Sequence, residues 1–585
     1  MDKILGNNEK KKIVGTFINN KSFGFVVPDD RKLTQDIFIS KSNFGKARNN
    51  HKVVVEITKP AEKGRKPEGK IVEVIGGVNE AGIDMLSLIK EYDLPYTFPD
   101  EVTIEARKIK QKIDESDISK RKDLRQEIIF TIDGEDAKDL DDAVKVTKLK
   151  NGNFKLDVHI ADVSHYVREK TELEREAYLR GTSIYMLGRV IPMLPRELSN
   201  GICSLNAGED RFALSCTMEI NSNGEVINSD IYKSVIKVTK RMSYTDVQKI
   251  LDNSDMEITK KYEKYIDEFK NMEELAYILK EKRKIQGYLN LDIPESKIDL
   301  DKFGRPISIS KYETTFAHEI IEQFMLKANE TVAERFFWLQ APFIYRVHEK
   351  PDIEKVEELN KFLHNLGYRI KIPQGKIYPK EFSKVLEQVK GKPEEKVVSN
   401  LILRTLKVAR YEAENKGHFG IASNYYCHFT SPIRRYPDLF IHRIISKYIE
   451  KDYIMNDFFF EKYGKRAEKR AFNSSEREKI ATKVEREAEK IKKAEYMENK
   501  IGEQYDGIVS SVTSFGIFVE LDSTVEGLVR FENLKDDYYF YDEANKMLIG
   551  EHTKNTYKIG DKVKVEVIDA SKELRRVDFK LIEEW

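Results

Sequence analysis

Between two apolar runs the chain carries Asp133-Gly134-Glu135-Asp136-Ala137-Lys138-Asp139-Leu140-Asp141-Asp142, five aspartates and one glutamate within ten residues. No other stretch restricts the fold as strongly. Glu127-Ile128-Ile129-Phe130-Thr131-Ile132 enters it and reads as a buried strand, and Ala143-Val144-Lys145-Val146 leaves it. Carboxylates this crowded repel one another and raise each other's pKa unless a cation neutralises them. Hard oxygen donors at such density suit Mg²⁺ or Mn²⁺, which take carboxylates together with water and phosphate oxygens. The competing reading is a solvated acidic loop. The flanking apolar runs argue instead that the acids are pinned at a strand junction. In an extended conformation Asp139 and Asp141 share a face while Asp142 points away. A turn at Gly134 would bring Asp133 back toward them. The spacing of a calcium-binding EF-hand loop is absent.

The run Thr131 to Val144 closely resembles the catalytic signature of the ribonuclease II/ribonuclease R exoribonucleases, the RNB family. The resemblance extends from about residue 13 to the C-terminus, and later motifs place the chain on its ribonuclease R branch. It implies an α+β multidomain protein: an N-terminal OB-type cold-shock barrel, a central mixed α/β RNB catalytic domain and a C-terminal S1-type OB barrel. The boundaries expected are 1–78 for the first barrel, 79–126 for a connector, 127–500 for the nuclease domain and 501–585 for the S1 domain. The implied activity is processive 3′–5′ hydrolysis of single-stranded RNA to nucleoside 5′-monophosphates. By the same resemblance Asp133, Asp139, Asp141 and Asp142 would hold one or two Mg²⁺ ions, with Mn²⁺ as an alternative. Those metals would activate water and stabilise the leaving 3′-oxygen.

The length of 585 residues exceeds what one core supports, so three or four domains are expected. No apolar run approaches the roughly 20 residues of a membrane span, and the N-terminus lacks the apolar core of a signal peptide. The three cysteines form no CxxC and suggest neither disulfides nor zinc. A cytoplasmic monomer acting on RNA 3′ ends, without membrane contact, is the expectation. A net charge of +1 hides an asymmetry. Residues 1–78 carry 16 Lys/Arg against 9 Asp/Glu, whereas residues 500–585 carry 12 against 18. The basic N-terminal segment suggests nucleic acid.

Residues 13–76 alternate apolar and polar positions in short runs, as a small barrel would. Phe23 and Phe25 share a strand face beside Lys21, and Phe38 could join them from a neighbouring strand. Strand aromatics usually belong to a core, but aromatics with a basic fringe also form the stacking platform of OB folds. The two runs around them resemble the ribonucleoprotein motifs of cold-shock domains, which favours the platform. Residues 79–126, with Pro95 and Pro99, read as short helices without chemistry.

Further on, alternation around His159, Asp162 and His165 argues for a strand with satisfied polar positions rather than a metal site. In Gly181 to Pro195 the family pattern makes Tyr185 a clamp stacking on the 3′-terminal base. Tyr244 aligns with a second RNA-contacting tyrosine. His318 to Asn329 reads as a helix whose apolar stripe is Ile321, Phe324, Ala328 and Val332. His318, Glu322 and Asn329 form an adjoining polar stripe, a solvated face by spacing alone, and the resemblance makes Glu322 a contact to the terminal nucleotides.

Pro432 and Pro437 bracket Arg434 and Arg435, which stiffens the backbone under a guanidinium suited to phosphate. The run His428 to Leu439 looks like the same family, and by that match Arg434 is catalytic while Arg435 is structural or auxiliary. Residues 461–500 read as a charged helix with Ser475 and Glu478 as a capping box. Glu485 within it aligns with a family glutamate near the RNA. Residues 501–582 return to barrel spacing and resemble an S1 domain whose Phe515 and Phe518 would stack on bases. Three features depart from the family: a single cold-shock motif pair, no lysine-rich tail, and Gln286-Gly287-Tyr288-Leu289-Asn290-Leu291-Asp292 where relatives read R-G-A-x-D-F-D. Within the class, a ribonuclease II-like enzyme blocked by duplexes competes. From another class, an RNA-binding protein with a dead nuclease core competes, but none of its acids nor the arginine is missing.

Overall fold

The computed structural model describes residues 12–582 except 31, 63–64, 292–294, 393, 453 and 544–545. The first eleven residues of the N-terminal segment, Asp292, and the terminal Glu583-Glu584-Trp585 therefore lie outside the described residues. Two closed five-stranded barrels flank a central α/β body. The first barrel joins strands Lys12–Asn20, Phe23–Pro28, Ile37–Ser40, Glu68–Gly77 and His51–Lys59 in that spatial order. The second joins Gln504–Thr513, Gly516–Leu521, Glu526–Arg530, Arg576–Leu581 and Lys562–Ser571 with the same topology. Period-two alternation explains both, because Phe17, Val26, Ile37, Ile39, Val53 and Val55 fill one interior while polar neighbours face out. Three short helices, Ile83–Glu91, Asp100–Lys108 and Glu115–Ile118, lead from the first barrel to the body.

The body is built on a seven-stranded mixed sheet. Its order is Lys240–Ser243, Phe130–Asp133, Asp142–Lys148, Phe154–Ala161, Asp210–Ile220, Val226–Lys237 and Lys122–Leu124. The first pair is parallel and sets Ser243 beside Asp133. Helices Ile266–Gln286, Phe316–Trp338 and Tyr436–Glu450 contribute Phe269, Phe324, Phe336, Leu439 and Ile444 to the core over this sheet. The acidic run links two neighbouring antiparallel strands, so its carboxylates gather at one end of the sheet.

His159 and Asp162 are satisfied within the fold. His159 Nδ1 meets Ser215 Oγ at 2.7 Å, and Arg121 donates to Asp162 at 2.7 Å with both side chains buried. The three cysteines are buried and free. Among the described residues no helix is long and apolar enough to cross a membrane.

The expected capping box at Ser475 and Glu478 is absent. One helix runs unbroken from Asp457 to Glu498, and its N-cap is Asn456, which accepts from Phe459 N–H at 3.0 Å. Ser475 Oγ instead accepts the Tyr411 amide at 2.9 Å, and Glu478 accepts from Arg346 at 2.6 Å. Burial drives the continuity. Phe459, Tyr463, Ala467 and Ala471 enter the central core, Ala481, Val484, Ala488 and Ile491 a second cluster, and Ala494 and Met497 the C-terminal barrel.

Candidate nuclease centre

The acidic run is neither a strand nor a free loop. Ala137 N–H closes a turn on Gly134 C=O at 3.2 Å, and Arg241 donates to the carbonyls of Gly134 and Glu135 at 3.2 and 2.7 Å. Ser204 Oγ accepts the Leu140 amide and donates to Lys138 C=O, at 3.1 and 2.9 Å. Leu140 is buried and so anchors the segment. The segment between the two strands is thus a pinned loop, and Asp133, Asp139 and Asp141 each accept a hydrogen bond from a different donor.

Asp141 is 4% exposed. Its Oδ1 accepts the Ile433 amide at 2.9 Å, and Arg434 Nε stands 3.8 Å from Oδ2, which is buried without a hydrogen bond. Burial pushes this carboxyl well above the ordinary range, and the Arg434 charge pulls it back. Asp142 is pushed up to about 7, first by burial and then by the charge of Asp133. Burial also raises Asp133, whose Oδ1 accepts the Gly134 amide at 2.7 Å, with the Asp139 charge adding to the rise. Asp139 Oδ2 accepts the Tyr185 hydroxyl at 3.0 Å.

Arg434 is placed by its backbone. Its carbonyl accepts Thr182 Oγ1 and the Ser183 amide at 3.1 and 2.9 Å, and its guanidinium donates to Ser431 Oγ at 3.0 Å. The side chain stays 44% exposed, open to a ligand. Arg435 turns inward and grips Asp438 with two bonds of 3.0 and 2.7 Å, which makes it a structural cation. Tyr436 N–H donates to Gly181 C=O at 3.0 Å, and its hydroxyl donates to buried Glu174 at 2.6 Å.

Tyr185 sits in the hairpin Ile184–Met186/Arg189–Ile191, is 42% exposed, and donates its amide to Glu485 Oε1 at 2.8 Å. Burial raises the Glu485 carboxyl, and Arg434 lies near enough to offset part of the rise. Tyr244 begins a helix capped by Ser243 and stacks on His318 at 3.9 Å between ring centroids. Burial, and then the charges of Asp133 and Asp142, raise its hydroxyl, so it borders the acids. His318 also meets Tyr312 O–H at 3.0 Å.

Glu322 is exposed on helix Phe316–Trp338 and accepts from Tyr288 O–H at 3.1 Å. The expected polar stripe divides at Asn329, which is buried. Its Oδ1 accepts the Phe429 amide at 2.8 Å and its Nδ2 donates to Tyr426 O–H at 3.3 Å, so it secures the arginine segment from behind. Sequence reasoning missed the Arg241 clamp, Ser204, Tyr312 and the Ile433 amide. Of these, Ile433 stood inside the His428–Leu439 run and Arg241 three residues before Tyr244, while Ser204 and Tyr312 carried no signal.

On the first barrel Phe23, Phe25 and Phe38 form one half-buried outer cluster with centroids 5.4 to 6.0 Å apart, and Lys66 lies over Phe25 at 4.7 Å. On the second, Phe515 is 53% exposed and meets Phe518 edge-on at 6.0 Å. Both clusters have the form of a base-stacking surface.

Among the described residues, no three His, Cys, Asp or Glu side chains stand as a ready metal cage. The donors nonetheless fit a hard divalent cation. Asp141 offers a buried oxygen without a hydrogen bond, and beyond the effect of burial the charge of Asp133 raises the proton affinity of Asp142 while that of Asp139 raises Asp133. Mg²⁺ characteristically takes one or two carboxylates and completes its shell with water and substrate phosphate, so a closed protein cage is not required.

Three family models match the chain in turn. A model described as the RNB domain matches residues 121–451, a cold shock domain model 25–99, and an S1 RNA binding domain model 498–581. Ribonuclease R of Thermotoga maritima is 45% identical over 578 residues, spanning 98% of this chain and 81% of its own length. A Mycoplasma genitalium RNase R solved with ribose methylated single-stranded RNA aligns with a TM-score of 0.91 at 28% identity, covering 98% of this chain and 90% of that one. The same M. genitalium protein solved with double-stranded RNA gives 0.87 at 26%, covering 99% and 96%.

Proposed function

The chain belongs to the ribonuclease R family of 3′–5′ exoribonucleases acting on single-stranded RNA, and on that premise we propose that it releases nucleoside 5′-monophosphates processively with Mg²⁺. The observation that carries the reading is Arg434 facing an orphaned Asp141 oxygen at 3.8 Å, with Asp133, Asp139 and Asp142 around it.

Asp133, Asp139, Asp141 and Asp142 would hold the cation. When bound, a divalent ion supplies positive charge against the scissile phosphate and acidifies water at the site. Arg434 presents a planar fork to the phosphate and offsets the charge that grows on its oxygens. Tyr185 receives the last base on its exposed ring, and Glu485 fixes that ring by its grip on the Tyr185 amide. Tyr244 and Glu322 line the approach, where a carboxylate accepts hydrogen bonds from sugar hydroxyls and repels phosphate. The outer aromatics of both barrels hold the incoming strand by stacking. The protein would act as a cytoplasmic monomer.

The test is a single strand labelled at every internal phosphate and a duplex with a 3′ overhang, each incubated with the protein in Mg²⁺ and in EDTA. Mononucleotides carrying 5′-phosphates, formed without long intermediates and only with Mg²⁺, are expected from the single strand. Products of mixed length would defeat processivity, and equal rates in EDTA would defeat the metal reading. The overhang duplex reports whether the chain enters paired RNA, as the relative solved with double-stranded RNA prompts one to ask.

A further inference from the structure

Tyr185 and the residues just before it touch three parts of the centre at once. Its hydroxyl donates to Asp139 Oδ2 at 3.0 Å, and its amide donates to Glu485 at 2.8 Å. The two residues before its strand, Thr182 and Ser183, hold the Arg434 carbonyl. Stacking on a base requires only the ring. A phenylalanine would offer the same face, so the hydroxyl has a different task. One donor on one carboxylate oxygen fixes the plane of the group and leaves the other oxygen for a cation. Such outer partners of a ligand commonly govern metal affinity by tenfold to a hundredfold.

We propose that the Tyr185 hydroxyl positions Asp139 for the divalent cation, making the base-receiving ring and the acidic centre one coupled unit. The inference rests on the cation reading above. Any coupling between cation and terminal nucleotide would then be reciprocal.

Mn²⁺ binding to the full-length, RNA-free protein, followed by electron paramagnetic resonance, tests this apart from turnover. Tyr185→Phe should weaken Mn²⁺ binding about tenfold or more while single-strand affinity in EDTA stays within about twofold. The Glu485 contact is to the main chain and survives the substitution, and thermal melting of each variant checks the fold. Tyr185→Ala should lose Mn²⁺ affinity and also grip on the RNA end. Asp139→Asn closes a double-mutant cycle, in which adding Tyr185→Phe should weaken Mn²⁺ little further. Wild-type Mn²⁺ affinity in Tyr185→Phe, or losses that simply add in the cycle, would overturn the coupling and leave the cation reading intact. A wild-type protein that takes up no Mn²⁺ would overturn both.

Discussion

Asp141 is held by the same segment that carries Arg434, and this makes two substitutions informative. Asp141→Asn keeps an oxygen to accept the Ile433 amide and removes only the charge. Hydrolysis should fall below about a tenth of wild type while RNA affinity stays within a few-fold. A variant that retains more turnover would show that the charge is dispensable. Arg434→Lys keeps the charge but loses the fork that also reaches Ser431. Its turnover should drop on the order of 100-fold with little change in RNA affinity. Equal single-turnover rates for the two side chains would show that a point charge suffices. Arg435→Lys, by contrast, disturbs a buried pair with Asp438 and belongs to stability rather than chemistry.

Elements differed in how clearly the sequence announced them. The barrel strands were legible because period-two alternation and aromatic spacing are local. The helix from Phe316 was legible for the same reason, since Ile321, Phe324, Ala328 and Val332 recur at its period and are all buried. The long helix was misjudged at Ser475. A serine three residues before a glutamate looks like a cap in sequence, yet here the hydroxyl serves Tyr411, 64 residues away in the chain. Asn329 misled in the opposite direction. Its position on a polar stripe suggested solvent, whereas it satisfies the Phe429 amide 100 residues on. Long-range hydrogen bonds of this kind leave no periodic trace. Asn329→Ala strips a buried amide of its acceptor and should lower stability by about 1–3 kcal/mol, read from denaturant unfolding. It should also slow hydrolysis by loosening the segment before Arg434. An unchanged midpoint would mean that the amide finds another partner.

At the scale of the whole molecule, the proposed reading puts the nuclease chemistry and the capture of RNA in separate parts of the chain. The proposed catalytic groups lie between Asp133 and Glu485, while the basic excess and the Phe23/Phe25/Phe38 cluster belong to the first barrel. Affinity supplied by counterion release falls by about 0.7 log units per contacted phosphate for each tenfold rise in salt. Deleting residues 1–78 should weaken binding of a long single strand and flatten that dependence, leaving cleavage of a short oligonucleotide nearly unchanged. A salt slope that does not move would remove the barrel from RNA capture. Loss of short-substrate cleavage in a folded truncation would place the barrel at the chemistry instead. The order of the three domains was legible from the motifs and the resemblance they carry. The contacts that join the parts were not, because they depend on pairs such as Arg575 with Glu91 and Glu487 that are remote in sequence.

The helix from Asp457 to Glu498 spans 42 residues, about 63 Å at the usual rise. Along it in turn stand Ser475 under the Tyr411 strand, Glu485 at the Tyr185 amide, Glu487 on Arg575 and Glu498 on the Lys572 amide. Mechanically this is a girder rather than a hinge. If the C-terminal barrel grips an RNA strand as proposed, tension on it would be carried along one hydrogen-bonded backbone to the residue that holds the Tyr185 amide. A pull on the RNA and the seating of its last nucleotide would then be loads on the same beam.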